Sequence, residues 1–395
     1  MPEPALRGVH VVAFEQAAAG PFATHLLADM GADVVKIERP GTGDLARSWD
    51  RAVAPGISSA YAWLNRCKRS VTLDPRSQSG RAILRRLVER ADVFLSNAGP
   101  GVTERLGVGY DAVRETNPGL IYCALSGYGV DGPYRDVKAY DLLIQGESGI
   151  LATNGYPDAP AKVGIPITDI AAGIYAALGI VIALYQREQT GRGQFVDVSM
   201  FEAALSWLGY FPHHYWHQGE EPERVGMRHH YIVPYGPYLA RDDKYVNLAV
   251  ASQHDWEVFC NQVTERPDLL EDERFADSPA RRRNRSVLER IIEDIFAERD
   301  SDEWLERLQR ADLPYGEVRG IGEVLAHPQV AARHLIREID SPVGPIPTIE
   351  SALRLSESPV AQGPLPDLGQ HTEEVLQEAG YTAQEIAAFR EEGAV

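Results

Sequence analysis

Short β-branched runs recur along the first third of the chain, at Val9–Phe14, Val34–Glu38, Ser70–Leu73, Val93–Ser96 and Leu120–Ala124, with helix-like segments between them. This alternation predicts a Rossmann-like parallel sheet in an α/β domain. The longest apolar run, Ile170 to Tyr185, contains Ala171, Ala172, Gly173, Ala176, Ala177 and Gly179, which suit close helix packing. It falls short of the ~20 residues that span a bilayer, so a core helix is expected and no membrane partner. After Met200 the texture changes: an aromatic and histidine-rich stretch runs from Tyr210 to Tyr238, a strand pair is expected around Gly236–Ala240 and Tyr245–Ala249, and helices dominate from Asp255 to Ala311. The alternating charges of Arg281–Arg310 read as solvated amphipathic helices. Proline-rich stretches at Pro342–Pro347 and Pro359–Pro366 predict extended crossings. The chain therefore divides into a large α/β domain (1–205), a linker (206–224), a smaller α+β domain (225–325) and a return to the large domain (326–395).

Composition adds limits. The 395 residues are 44% hydrophobic and 24% charged, ordinary for a soluble globular chain. A formal net charge of −18 argues against nucleic-acid or anionic-membrane partners, which need a broad positive field, but leaves room for a locally basic pocket. Met1-Pro2-Glu3-Pro4 lacks the basic start of a signal peptide, and a cytoplasmic protein is expected. Cys67, Cys123 and Cys260 are widely spaced, indicating neither a disulfide framework nor a zinc site. His213 and His217 stand four apart, as ligands on a helix can, but no carboxylate occupies the metalloprotease position and Pro212 precedes them; no metal is expected. No Gly-x-Gly-x-x-Gly follows the first strand, and Gly41-x-Gly43 in the turn after Pro40 is weak as a phosphate loop.

The segment Val163-Gly-Ile-Pro-Ile-Thr-Asp169 places one carboxylate at the start of the apolar helix. Asp169 or Thr168 can cap that helix, and this alone accounts for an Asp there. An anion at a helix amino end is also favoured by the dipole, so the carboxylate should stay ionised at neutral pH, close to N–H groups that could stabilise developing charge. Such a group suits a carboxylate nucleophile.

The surrounding blocks choose between these readings. In order they are Leu6-Arg7-Gly8-Val9-His10-Val11-Val12-Ala13-Phe14, Ala19-Gly20-Pro21, Gly31-Ala32-Asp33-Val34-Val35-Lys36-Ile37-Glu38-Arg39-Pro40, Asn65-Arg66-Cys67-Lys68-Arg69-Ser70, Asp92–Asn97, Asn117–Tyr122, Ser126-Gly127-Tyr128-Gly129, Tyr140–Gln145 and Gly369-Gln370-His371-Thr372-Glu373-Glu374-Val375-Leu376. Taken together, the chain resembles the class III coenzyme A transferase family, the formyl-CoA, carnitine and bile-acid CoA-transferase group, over nearly its whole length.

The resemblance implies that Asp169 carries the acyl and CoA groups in turn, as a mixed anhydride and then an aspartyl-CoA thioester. It implies a CoA thioester as substrate and no permanently bound cofactor. Gln16 would mark an oxyanion-stabilising loop, or be a polar loop residue; Tyr140 would contact coenzyme A near the aspartate, or simply pack. The three phosphate groups of coenzyme A call for concentrated cations, for which Arg39, Lys68, Arg69, Arg105 and Lys138 match family positions, with Asn97 as a hydrogen-bonding contact. Arg228, His229 and His230 would line the acyl pocket, Arg228 pairing with the distal carboxylate of a dicarboxylic acid; otherwise they form a hinge. Succinyl-CoA is the expected donor. The family also implies an interlocked homodimer. Two alternatives remain: an α-methylacyl-CoA racemase of the same fold, in which a histidine replaces Tyr140, and a non-catalytic CoA-binding subunit.

Overall fold

A computed structural model describes residues 2–395. It separates into two compact units, one comprising the chain up to Ile150 with Val163–Gly209 and Ala331–Val395, the other Leu151–Lys162 with Tyr210–Val330. The second unit thus begins at Tyr210 rather than 225 and takes in residues 151–162, an excursion that no composition shift in the sequence announces.

The first unit is built on six strands: β1 (His10–Phe14), β2 (Asp33–Glu38), β3 (Lys68–Thr72), β4 (Val93–Ser96), β5 (Ile121–Ser126) and β6 (Phe195–Ser199). They run parallel in the order β3-β2-β1-β4-β5-β6. Along β1 the side chains alternate between two cores: Val11 and Ala13 face one, Val12 the other. Helices cover both faces, which explains why these strands lack the polar alternation of a half-exposed sheet. One face packs against α1 (Ala19–Asp29), the other against α2 (Gln78–Val88).

Next in the chain come α3 (Asp141–Glu147), α4 (Ile167–Thr190) and α5 (Met200–Ser206). The apolar run is longer as a helix than its composition suggested: α4 has 24 residues, enough with its composition to cross a bilayer. Only one side is lipid-like, because Ala171, Ala172, Ala176, Ile180 and Ala183 are buried in the core with α1. A Cβ at Gly173 would lie 2.9 Å from Phe22 Cδ1 and 3.0 Å from the Ala19 carbonyl oxygen, so glycine is what lets α4 approach α1 this closely. α4 ends at Gly191, left-handed at φ 68°, whose amide closes the last turn.

In the second unit, β7 (Tyr235–Leu239), β8 (Tyr245–Ala249) and β9 (Tyr315–Glu317) form an antiparallel sheet in the order β9-β8-β7. Its core includes Leu288, Ile292 and Phe296 of α6 (Arg285–Phe296) and Trp304 and Leu308 of α7 (Ser301–Arg310). Back in the first unit, β10 (Ile336–Ile339) and β11 (Ile346–Ile349) pair as a hairpin. Pro342–Pro347 is therefore its turn and second strand, not an extended crossing. The helices α8 (Thr372–Glu378) and α9 (Ala383–Glu391) add Val375, Leu376 and Ile386 to the core over α2.

Candidate active site

The strand order reverses between β1 and β4, and a cavity of about 590 Å³ opens at the carboxyl ends of these strands. Open parallel sheets bind ligands at such a switch point. Gln16, Arg39, Gly43, Arg76 and Asn97 are among its lining residues. Arg39 is exposed and has no ion-pair partner among the described residues, whereas Arg76 is held by Asp74 at 2.9 Å. The wall itself is tied down. Asn97 accepts from the Gln16 amide at 2.9 Å and donates to the Gln16 carbonyl at 2.7 Å. Ala17 adopts a left-handed φ of 64°, and its amide donates to Asp44 Oδ1 at 2.9 Å. A non-glycine residue in that region is strained and persists because its surroundings hold it. The amides of Gln16 and Ala17 are consequently committed, so the Gln16 loop contributes no free backbone donor from these two residues; what it leaves exposed is the Gln16 side chain.

Two residues further on, α1 starts at Ala19 with no side-chain cap, its N-cap being Ala18. The Ala19 amide faces the Asp169 carboxylate, which lies in the first turn of α4, and favours its charged form. Neither Asp169 nor Thr168 caps α4: Pro166 holds the N-cap position. The cap comes from another helix. Asp141 Oδ1 accepts from the Thr168 amide at 2.8 Å and its hydroxyl at 2.9 Å, while Asp141 Oδ2 accepts from Gln145 Nε2 at 2.7 Å. Asp141 thereby brings a second negative charge beside Asp169. Burial, then the Asp141 charge, push the Asp169 carboxyl up to about 7, against the opposing Ala19 hydrogen bond. The expectation of an Asp169 ionised at neutral pH is corrected: burial and the Asp141 charge outweigh the single amide that favours the anion.

Several expected coenzyme contacts are placed elsewhere. Lys68 is fully buried; its ammonium donates to Glu15 at 2.9 Å, the Pro21 carbonyl at 3.0 Å and Asn65 at 3.2 Å, so it cannot meet a phosphate. Arg69 pairs with Asp33 at 2.5 Å and with Glu374 and Glu378 of α8. It emerges at the amino ends of β2 and β3, opposite the crevice. Arg105 closes the short helix Val102–Arg105 and is exposed, and Lys138 is exposed two residues before Tyr140. Tyr140 is 64% exposed and is the N-cap residue of α3 without a capping side chain, so it is not a packed core aromatic.

Arg228, His229 and His230 belong to the second unit. Arg228 donates to Glu293 at 2.9 Å and to the Pro237 carbonyl, lies 3.5 Å from Glu289, and stacks over Tyr238. A guanidinium so engaged is not an open partner for a substrate carboxylate. His229 accepts the amides of Tyr231 and Ile232 and stacks on Tyr235, and His230 packs edge-on against Phe211. These residues shape their own turn. Asp141 stands within the Tyr140–Gln145 block without a role assigned from sequence; an acidic residue just ahead of the apolar Leu142-Leu143-Ile144 was the signal available.

The crevice at the switch point, with the exposed Arg39 on its wall, defines an α/β protein suited to an anionic ligand; the desolvated Asp169 carboxyl stands at the start of α4 and is not among the residues that line that crevice. Comparison with known proteins narrows this to one lineage. The chain belongs to CoA-transferase family III, whose profile matches residues 6–372. It is 37% identical to an acyl-CoA transferase of Fusarium pseudograminearum over 99% of this chain and 88% of that one. It is 37% identical to a succinyl-CoA:mesaconate CoA-transferase of Haloarcula hispanica over 95% of this chain and 96% of that one. The crystal structure of a CAIB/BAIF family protein from Brucella suis superposes with a TM-score of 0.85 at 33% identity, covering 96% of this chain and 100% of that one.

Proposed function

We propose that the protein transfers coenzyme A from an acyl-CoA, succinyl-CoA foremost, to a small dicarboxylic acid, with Asp169 as the covalent relay. The observation that carries this reading is the Asp169 carboxylate, half-buried in the first turn of α4 and faced by the amide of Ala19, three residues after the crevice-lining Gln16. Asp169 attacks the acyl carbonyl and the C–S bond breaks, giving a mixed anhydride and CoA thiolate. The thiolate attacks the aspartyl carbonyl, releasing the donor acid and leaving an aspartyl-CoA thioester. The acceptor carboxylate attacks that thioester, and the returning thiolate cleaves the second anhydride at the acceptor carbonyl, restoring Asp169. Both anhydrides and the thioester hydrolyse in water, so partial burial of the carboxylate suits them.

The succinyl donor and dicarboxylic acceptor follow the Haloarcula relative's name; with Arg228 engaged elsewhere, the residue that meets the distal carboxylate is left to experiment. Arg39, Arg105 and Lys138 are the exposed cations available to the coenzyme phosphates. All three cysteines are free thiols, in keeping with a cytoplasmic enzyme.

We extend the reading to a homodimer. Ile174, Leu178, Val181, Ile182 and Tyr185 form an exposed apolar stripe on α4, with Leu142 and Leu143 of α3 also bare. A second copy of the chain would cover it. Incubation with succinyl-CoA and hydroxylamine tests the mechanism: Asp169 should become the hydroxamate, Asp169→Ala should abolish exchange in a folded protein, and modification at another residue would overturn the assignment.

A further inference from the structure

The crevice wall contains a charge cluster, with Glu15, Glu38 and Asp44 among the lining residues, that packing alone does not require. Glu15, Lys36 and Lys68 have side chains with 0% exposure, and Asp44, Glu38 and Arg47 join them. The three carboxylates and three cations balance. Lys36 rises from the centre of a parallel strand, a position that ordinarily carries an apolar residue. Buried ion groups of this kind are often replaceable by apolar side chains without loss of stability, so their use here points to geometry.

The contacts show which geometry. Thr24 of α1, itself buried, donates to both oxygens of Glu15, at 2.9 and 2.8 Å. Lys68 binds Glu15 and the Pro21 carbonyl in the same helix. Lys36 links Glu15 to Asp44, whose other oxygen holds the strained Ala17 amide. The first two turns of α1 are thus held from below at Pro21 and Thr24, and the chain just ahead of the helix is held at Ala17. That helix has no capping side chain of its own; its start packs on α4, where the Ala19 carbonyl oxygen lies 3.0 Å from where a Cβ at Gly173 would stand, and the Ala19 amide faces Asp169. A serine or aspartate at position 18 would compete for the open amides.

We propose that Thr24 and Glu15 are positioning residues of the active site: through the buried Lys36–Lys68–Asp44 cluster they fix the uncapped start of α1 so that the Ala19 amide meets the Asp169 carboxylate. The inference rests on the reading of Asp169 as the reacting group, yet one of its readouts is independent of turnover.

Thr24→Val removes the hydroxyl with no change of charge and nearly none of shape. Thr24→Ser restores the hydroxyl, and Thr24→Ala, which introduces no clash, replaces the valine variant if that folds poorly. Two measurements are made on the full chain. The first is the titration of Asp169, from pH-difference infrared spectra of its protonated carboxyl band, assigned by its loss in Asp169→Asn. Losing the Ala19 hydrogen bond should move the midpoint upward in Thr24→Val by about half a pH unit or more, with Thr24→Ser like wild type. Asp141, the charged group facing Asp169, is untouched in all variants. The second is steady-state exchange: kcat falls about tenfold in Thr24→Val while KM for the acyl-CoA holds, and Thr24→Ser recovers. A folded Thr24→Val or Thr24→Ala with an unmoved Asp169 midpoint overturns the inference, as does an equal loss in Thr24→Ser. If the wild type catalyses no exchange, the transferase reading fails, and the infrared titration still decides this one.

Discussion

Asp169→Asn should make the protein more stable, and increasingly so as pH rises. The folded-state value of about 7 lies above the ordinary 3.8, so the folded protein holds a proton that the unfolded chain releases between these values. The sign follows: the group's contribution to stability is fully present below about pH 4 and is lost as pH rises through 7. At ~1.4 kcal/mol per unit, a gap of about three units costs the ionised wild type roughly 4 kcal/mol at pH 8.5 and less than about 1 kcal/mol at pH 4. Asp169 keeps some contact with solvent, which trims the upper figure to about 2–4 kcal/mol. Asparagine retains an oxygen for the Ala19 amide and carries no charge at either pH. Urea unfolding of both proteins at pH 4.5 and 8.5 measures the difference. The expected result is a gain of about 1 kcal/mol or less in Asp169→Asn at the lower pH and of about 2 kcal/mol or more at the higher, with exchange abolished at both. A gain that is the same at the two pH values, or none, would refute the claim that burial and Asp141 raise this carboxyl.

Three further outcomes follow from neighbouring contacts. Asp141→Asn keeps an oxygen for the Thr168 amide but removes the adjacent charge, so the acidic limb of the exchange-rate pH profile should move down by about one unit; an unmoved limb would exclude Asp141 as a cause. Gly173→Val should cost about 1–3 kcal/mol in urea unfolding, because its Cβ alone meets Phe22 and the Ala19 carbonyl within about 3 Å. Leu178→Glu with Ile182→Glu should convert a dimer to monomers in analytical ultracentrifugation, whereas an unchanged sedimentation coefficient would remove the second copy from that stripe.

The strands were legible because parallel strands covered on both faces are written as short unbroken β-branched runs, and β1, β2, β4 and β5 begin and end within a residue or two of those runs. The helix that carries Asp169 was legible for its small residues, which leave room for α1. The second unit's limits were not, since residues 151–162 join it through packing that leaves no local mark. The Pro342–Pro347 hairpin was missed for a related reason: proline tolerates both an edge strand and an open crossing, and only pairing with Ile336–Ile339 decides.

The site residues divide along a physical line. Lys and Arg positions in a sequence block say that a cation stands there, not what it faces, and the same chain that leaves Arg39 open at the crevice buries Lys68 against Glu15 and spends Arg69 and Arg228 on internal carboxylates. An excess of acidic residues, 57 against 39 Lys and Arg, does not pair every cation: among the described residues Arg39, Arg105 and Lys138 have no ion-pair partner, whereas Lys68, Arg69 and Arg228 do. That shifts the question for coenzyme recognition from where basic residues are to which of them remain free. It also bears on Asp169, whose opposite problem is an excess of negative charge: among the described residues the charge acting on it is another aspartate, Asp141, relieved by the backbone amide of Ala19. On the proposed reading, a carboxylate so placed, poorly solvated and without a cation beside it, is the better suited to attack on an acyl carbon. An arginine beside it would stabilise the resting anion and weaken it as a nucleophile.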